Sequence, residues 1–123
     1  METTVERINP SIDVRDLSAS VQYYVEVLGF ELNVETPALA IVESNGHQIH
    51  LRQGGPDSAA ARVWIGVEDI AALYEQYRAR GVKFAQEPAN YSWAYQMIVA
   101  DLDGNLLVFG SGPIEGNPFQ DRE

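Results

Sequence analysis

Short runs of alternating apolar and polar residues give way to helical spacing twice along the chain, and the two passages match. The segment PSIDVRDLSASVQYYVEVLGFEL (10–32) is echoed by VWIGVEDIAALYEQYRARGVKF (63–84). With Val14 set on Val67, Asp16 falls on Asp69, Leu17 on Ile70, Val21 on Tyr74 and Tyr24 on Tyr77. Gly29 and Gly81 match after a one-residue adjustment. A second echo pairs VESNGHQIHL (42–51) with VADLDGNLLVF (99–109), Gly46 on Gly104. In each half an alternating strand, about 6–14 or about 62–67, runs to an aspartate placed to cap a helix. Apolar residues then recur at i, i+3, i+4 and i+7 spacing: Val21, Tyr24, Val25 and Leu28, or Ile70, Leu73, Tyr74 and Tyr77. Gly29 and Gly81 stand where a helix ends in a left-handed residue. Three strands follow, the last two joined by tight turns at Asn45-Gly46 and Asp103-Gly104. The pattern predicts an α+β fold of two tandem βαβββ units. The residues after Gly110 have no periodicity and are expected to form a mobile tail, 111–123.

One helix covers one face of a four-stranded sheet, so the other face must meet a second module, a partner chain or a ligand. Alternation along the fifth predicted strand puts Arg62, Trp64 and Gly66 on that open face, with Val63, Ile65 and Val67 under the helix. Gln48, His50 and Arg52 fall on the open face of the first unit. Trp64 is a candidate stacking platform for a planar or cationic ligand; a core tryptophan is the competing reading. Tyr91, Trp93 and Tyr95 fall in what reads as the longest connection of the second unit, where aromatics favour recognition over packing. Arg52 and Arg62 either bind an anionic group or pair with surface acids.

Composition narrows the function. The chain has 123 residues, the size of one domain, with 46% apolar and 21% charged residues. It has no cysteine, which excludes disulfides and thiolate chemistry. The opening METTVERINP lacks an apolar signal core, and no run is long enough to span a membrane, so the expected compartment is the cytoplasm. Eighteen acids against eight bases give a net charge of −10, a field that repels nucleic acid and attracts cations. Asp101-x-Asp103-Gly104 resembles the start of a calcium loop but lacks its later acids, and reads better as a turn.

The strand–Asp–helix–Gly–Phe opening, VRDLSASVQYYVEVLGFE, and the closing DLDGNLLVFG resemble the vicinal oxygen chelate superfamily. That group includes glyoxalase I, extradiol dioxygenases and the bleomycin resistance proteins. The resemblance covers about residues 6–110. It implies one domain (1–110) of two modules, about 5–53 and 61–110, forming an incomplete barrel that a homodimer completes. It also places metal ligands at matching points of the first and last strands of each module. Carried over by the repeat, those points are Asn9, His50, Arg62 and Val108. A guanidinium has no lone pair to give, and valine has no donor. His47 lies three residues from His50 along a strand and faces the other way. The set argues against a metal and for no cofactor, as in the bleomycin resistance proteins, which sequester a drug without transforming it. Pro10, VWIGVEDIAALYEQYRARGV and SWAYQMIVADLDGN resemble that branch, although Ala94 and Tyr95 replace its usual glycine and polar residue. The expected function is small-molecule binding, with Asn9, His50, Arg52, Arg62, Trp64, Tyr91, Trp93 and Tyr95 as ligand-binding residues and no catalytic residue. A metal-dependent lyase, isomerase or dioxygenase of the same superfamily is the alternative, and a metal-free isomerase using His50 as base is a third.

Overall fold

The structure is a computed structural model that describes residues 3–121. Its chain forms two compact units, with the boundary between Ala59 and Ala60. The first contains β1 (Ser11–Val14), α1 (Leu17–Gln22) continuing as a π-helical turn (Tyr23–Val27), β2 (Glu31–Glu35), β3 (Leu39–Ser44) and β4 (His47–Gln53). The second contains β5 (Arg62–Gly66), α2 (Ile70–Ala79), β6 (Phe84–Asn90), β7 (Tyr95–Ala100) and β8 (Leu106–Ser111). Each is a βαβββ unit whose four-stranded sheet has its first strand beside its last: β1-β4-β3-β2 and β5-β8-β7-β6. In both, the first and last strands run parallel, and the other pairs are antiparallel.

The repeat extends to the hydrogen-bond register. Ser11 stands opposite His50 in the first unit, and their counterparts Trp64 and Val108 stand opposite each other in the second. Asp16 and Asp69 cap the helices as expected, accepting from the N–H of Ala19 at 3.1 Å and of Ala72 at 3.0 Å. Gly29 (φ 89°) and Gly81 (φ 76°) end them in the left-handed region. The one-residue mismatch between the halves has a physical location. In the second unit the N–H of Val82 reaches back to the Tyr77 carbonyl, at 3.0 Å. In the first, the N–H of Phe30 reaches the equivalent Tyr24 carbonyl, also at 3.0 Å, across one residue more. The π-helical turn takes up the extra residue, leaving cap and strand in place.

Each helix packs on one sheet face. Ile12, Val14, Ala40, Val42, Ile49 and Leu51 are buried in the first unit, with Tyr24 from the helix against Phe30 at 6.0 Å between ring centroids. In the second, Met97, Val99, Leu107 and Phe109 are buried, and Tyr77 meets Phe109 edge-on at 5.6 Å.

Four expectations change in detail. The first strand is shorter than 6–14. The Pro10 carbonyl still accepts from the His50 N–H at 2.9 Å, but proline has no N–H to continue the ladder. The Asn45-Gly46 turn has both residues at positive φ, 52° and 82°, as an I′ hairpin requires. Asp103-Gly104 is not such a turn: only the glycine has positive φ, and the link spans five residues between β7 and β8. The Asp101 carboxylate organises it. Its Oδ1 accepts from the N–H of Asp103 and of Asn105, each at 2.9 Å, and Oδ2 accepts from Asn105 Nδ2 at 2.9 Å. Asn105 Oδ1 in turn accepts from the Ala61 N–H at 2.7 Å, tying the loop to the start of β5.

Third, the connection carrying Tyr91 and Trp93 is short, because β6 continues through Pro88 to Asn90. β6 is the sheet edge, where a missing N–H costs little, and the register shifts between Gln86 and Ala89 to accommodate it. Fourth, the segment after β8 is tied down at several points. Asn90, 6% exposed, accepts from the Ile114 N–H at 2.9 Å and donates Nδ2 to the Ile114 carbonyl at 3.1 Å. Its backbone bonds Gln120, and the Ser92 N–H bonds Asp121 Oδ1 at 2.8 Å. No helix among the described residues is long and apolar enough to cross a membrane.

Candidate functional site

On the open face of the second sheet, Trp64 is 57% exposed, so in this fold it is not a core residue. Its indole lies over two glycines that face each other across the β5–β8 pair, Gly66 and Gly110. A Cβ at Gly110 would stand 2.8 Å from Trp64 Cζ2 and 3.1 Å from Nε1, and one at Gly66 would stand 3.0 Å from Cζ3. Both are closer than carbon atoms pack, so only glycines let the ring settle on the backbone with its outer face open. Alternation had placed Gly66 beside Trp64. Gly110 required the strand register, which the sequence does not display.

Trp64 lines a hollow of about 360 Å³ with Arg62, Trp93, Gln96 and Val108. Trp93 is 58% exposed and donates its Nε1–H to Gln96 Oε1 at 3.3 Å. Tyr91 stacks on Trp93, ring centroids 4.7 Å apart and planes 10° apart, which supports that wall. The fold therefore brings together Arg62, Trp64, Tyr91 and Trp93. Gln96, not singled out from the sequence, joins them because it alternates with Ile98 on the same face of β7; the signal was present in the strand pattern.

Tyr95 belongs elsewhere. It is opposite in parity to Gln96 and lines a separate hollow of about 390 Å³ with Asn90, Ile114, Pro118 and Gln120, under the C-terminal segment. Spacing alone groups it with Trp93 in one connection; the start of β7 at Tyr95 separates them.

In the first unit His50 and Arg52 share the open face of β4 with Gln48, and His47 faces the other way. Asn9 lies two residues before Ser11, the strand partner of His50. Along that face the Glu43 carboxylate accepts from Gln48 Nε2 at 3.0 Å and from Asn33 Nδ2 at 2.6 Å. Those two bonds, Gln48 first, hold its pKa below the ordinary carboxylate value.

Two of the four positions where the resemblance implied metal ligands carry no donor. Arg62 and Val108 both line the Trp64 hollow, and neither offers a lone pair. Among the described residues no group of three or more His, Asp or Glu side chains is arranged to hold a metal ion. Among the described residues, those lining the hollow include no serine, cysteine, histidine or carboxylate. What it offers is a flat aromatic floor, a second aromatic wall, a guanidinium and an amide.

Comparison with known proteins agrees with the architecture. The model of the Glyoxalase/Bleomycin resistance protein/Dioxygenase superfamily matches residues 7–109, and the chain belongs to that superfamily. Among solved structures it is similar to TnmS3, an antibiotic binding protein from Streptomyces sp. CB03234, at TM-score 0.79 and 24% identity, covering 92% of this chain and 100% of that one. TioX from Micromonospora sp. ML1 superposes at 0.76 with 23% identity, covering 87% and 98%. A glyoxalase/bleomycin resistance protein/dioxygenase from Nocardioides gives 0.70 with 27% identity, covering 97% and 93%. A comparison with curated proteins returned no match.

Proposed function

We propose that this protein is a metal-free binding protein of the bleomycin resistance type, which sequesters a planar or amphipathic small molecule such as an antibiotic. The carrying observation is Trp64, seated on Gly66 and Gly110, more than half exposed and lining one hollow with Trp93. A core tryptophan needs no such bed; a stacking floor does. The absence of acid–base or nucleophilic groups in the hollow favours holding a ligand over transforming it. The antibiotic-binding character of TnmS3 supports the same reading. We place the protein in the cytoplasm as a homodimer, with His50, Arg52 and Asn9 on the open face of the first unit as further ligand contacts. Light scattering at micromolar concentration tests the dimer: a dimer mass supports it and a monomer mass overturns it.

Binding is tested by titrating planar aromatic antibiotics while following tryptophan fluorescence in the parent and in Trp64→Ala. Both tryptophans of the chain border the hollow, so an occupant quenches most of the signal. Loss of the stacking floor should cost about 1–3 kcal/mol, roughly ten- to a hundredfold in affinity. Equal affinity in parent and variant for every ligand that binds would refute the reading.

A further inference from the structure

The Trp64 hollow is one-sided in its hydrogen bonding. Among the described residues the Arg62 side chain makes no hydrogen bond or ion pair, so the five N–H donors of its guanidinium are uncommitted. Trp64 Nε1 also has no partner among those residues. Gln96 adds to the same side. Indole N–H is only a donor, so the bond from Trp93 Nε1 fixes Gln96 with its carbonyl toward Trp93 and its amino group free. Val108, the strand partner of Trp64, contributes only apolar surface. Three residues that line the space thus carry uncommitted donors, while the Gln96 carbonyl is already engaged.

We infer that the occupant of this hollow is a planar aromatic molecule carrying an anionic oxygen, a carboxylate or phenolate. Its ring would lie on Trp64, and its oxygens would face Arg62 and the Gln96 amide. This rests on the reading of the Trp64 hollow as the ligand site, and it runs against the cationic preference suggested by the net charge of −10. Local geometry outweighs the overall charge here. The field of exposed acids is screened over about 8–10 Å at ordinary salt, whereas a fork-shaped guanidinium binds an oxyanion by direct contact.

Two probes with one ring separate the alternatives: anthracene-2-carboxylate and 2-(aminomethyl)anthracene, titrated calorimetrically into the intact protein. The carboxylate should bind at least tenfold more tightly. Arg62→Met keeps the aliphatic stem of an exposed residue and should weaken the carboxylate roughly ten- to a hundredfold, the range for a hydrogen bond to a charged group, without weakening the ammonium. Trp64→Ala should weaken both. Equal or tighter binding of the ammonium, or a carboxylate preference that survives Arg62→Met, overturns the inference while leaving the site standing. Failure of both probes to bind, or indifference of both to Trp64→Ala, overturns the site and the inference with it.

Discussion

Gly110→Ala separates the ligand platform from the stability of the fold. Gly110 is buried in β8 with a backbone conformation open to any residue, so the added methyl meets no φ penalty. What it meets is the Trp64 ring, at 2.8 Å from Cζ2 and 3.1 Å from Cε2 and Nε1. Overpacking a core costs about 1–3 kcal/mol, but the obstructed group here is a largely exposed ring that is free to swing aside. Replacing glycine in a strand returns about 0.5–1 kcal/mol of backbone entropy. The two nearly offset, so stability should change by no more than about 1 kcal/mol, roughly 5 °C in melting temperature. Binding should respond differently. A displaced indole loses its flat seat, and ligand affinity should fall by about 1–2 kcal/mol, five- to thirtyfold. The assay is a melting curve beside a fluorescence titration, repeated in the Trp64→Ala background, where Gly110→Ala should have no further effect on affinity. Unchanged affinity in the single variant, or an equal loss when Trp64 is already absent, would refute the argument.

Other sites give independent tests. Asn90→Ala removes both side-chain bonds to Ile114, at about 1 kcal/mol each, and the Ile114 amide should exchange with solvent at least tenfold faster; an unchanged rate would show the C-terminal segment to be held by something else. Glu43 has a lowered pKa, so its contribution to stability is present above its unfolded value and is lost as pH falls through its folded one. Gln48→Leu should move the Glu43 titration, followed by carboxyl NMR, back upward toward the ordinary range. Exhaustive chelation should leave the melting temperature unchanged, because a structural metal would be coupled to folding; one tightly held divalent ion per chain, lost only with destabilisation, would contradict the metal-free reading.

Much of the fold was legible in the sequence, because it is built from local signals that agree. Asp16, Asp69, Gly29, Gly81 and the Asn45-Gly46 turn each specify their own backbone, and the repeat checks each half against the other. Pairing information was not legible. The continuation of β6 through Pro88 depends on its being an edge, and edge position is a property of the sheet. The site divides along the same line. Arg62, Trp64 and Gly66 follow from alternation within one strand, whereas the approach of Gly110, Trp93 and Gln96 depends on register between strands. Tyr95 illustrates the same limit: one residue decides which face of β7 it occupies.

The chain contains two tryptophans, and both line the hollow, which makes one spectrum decisive. In a proton–nitrogen correlation spectrum their two indole N–H signals stand apart from the backbone amides. On titration with a planar aromatic ligand, the account predicts that both indole signals shift together and saturate with the backbone amides of Gly66, Gln96 and Gly110. If the ligand binds and both indole signals stay in place while other amides move, the ligand site lies elsewhere and the central claim is wrong.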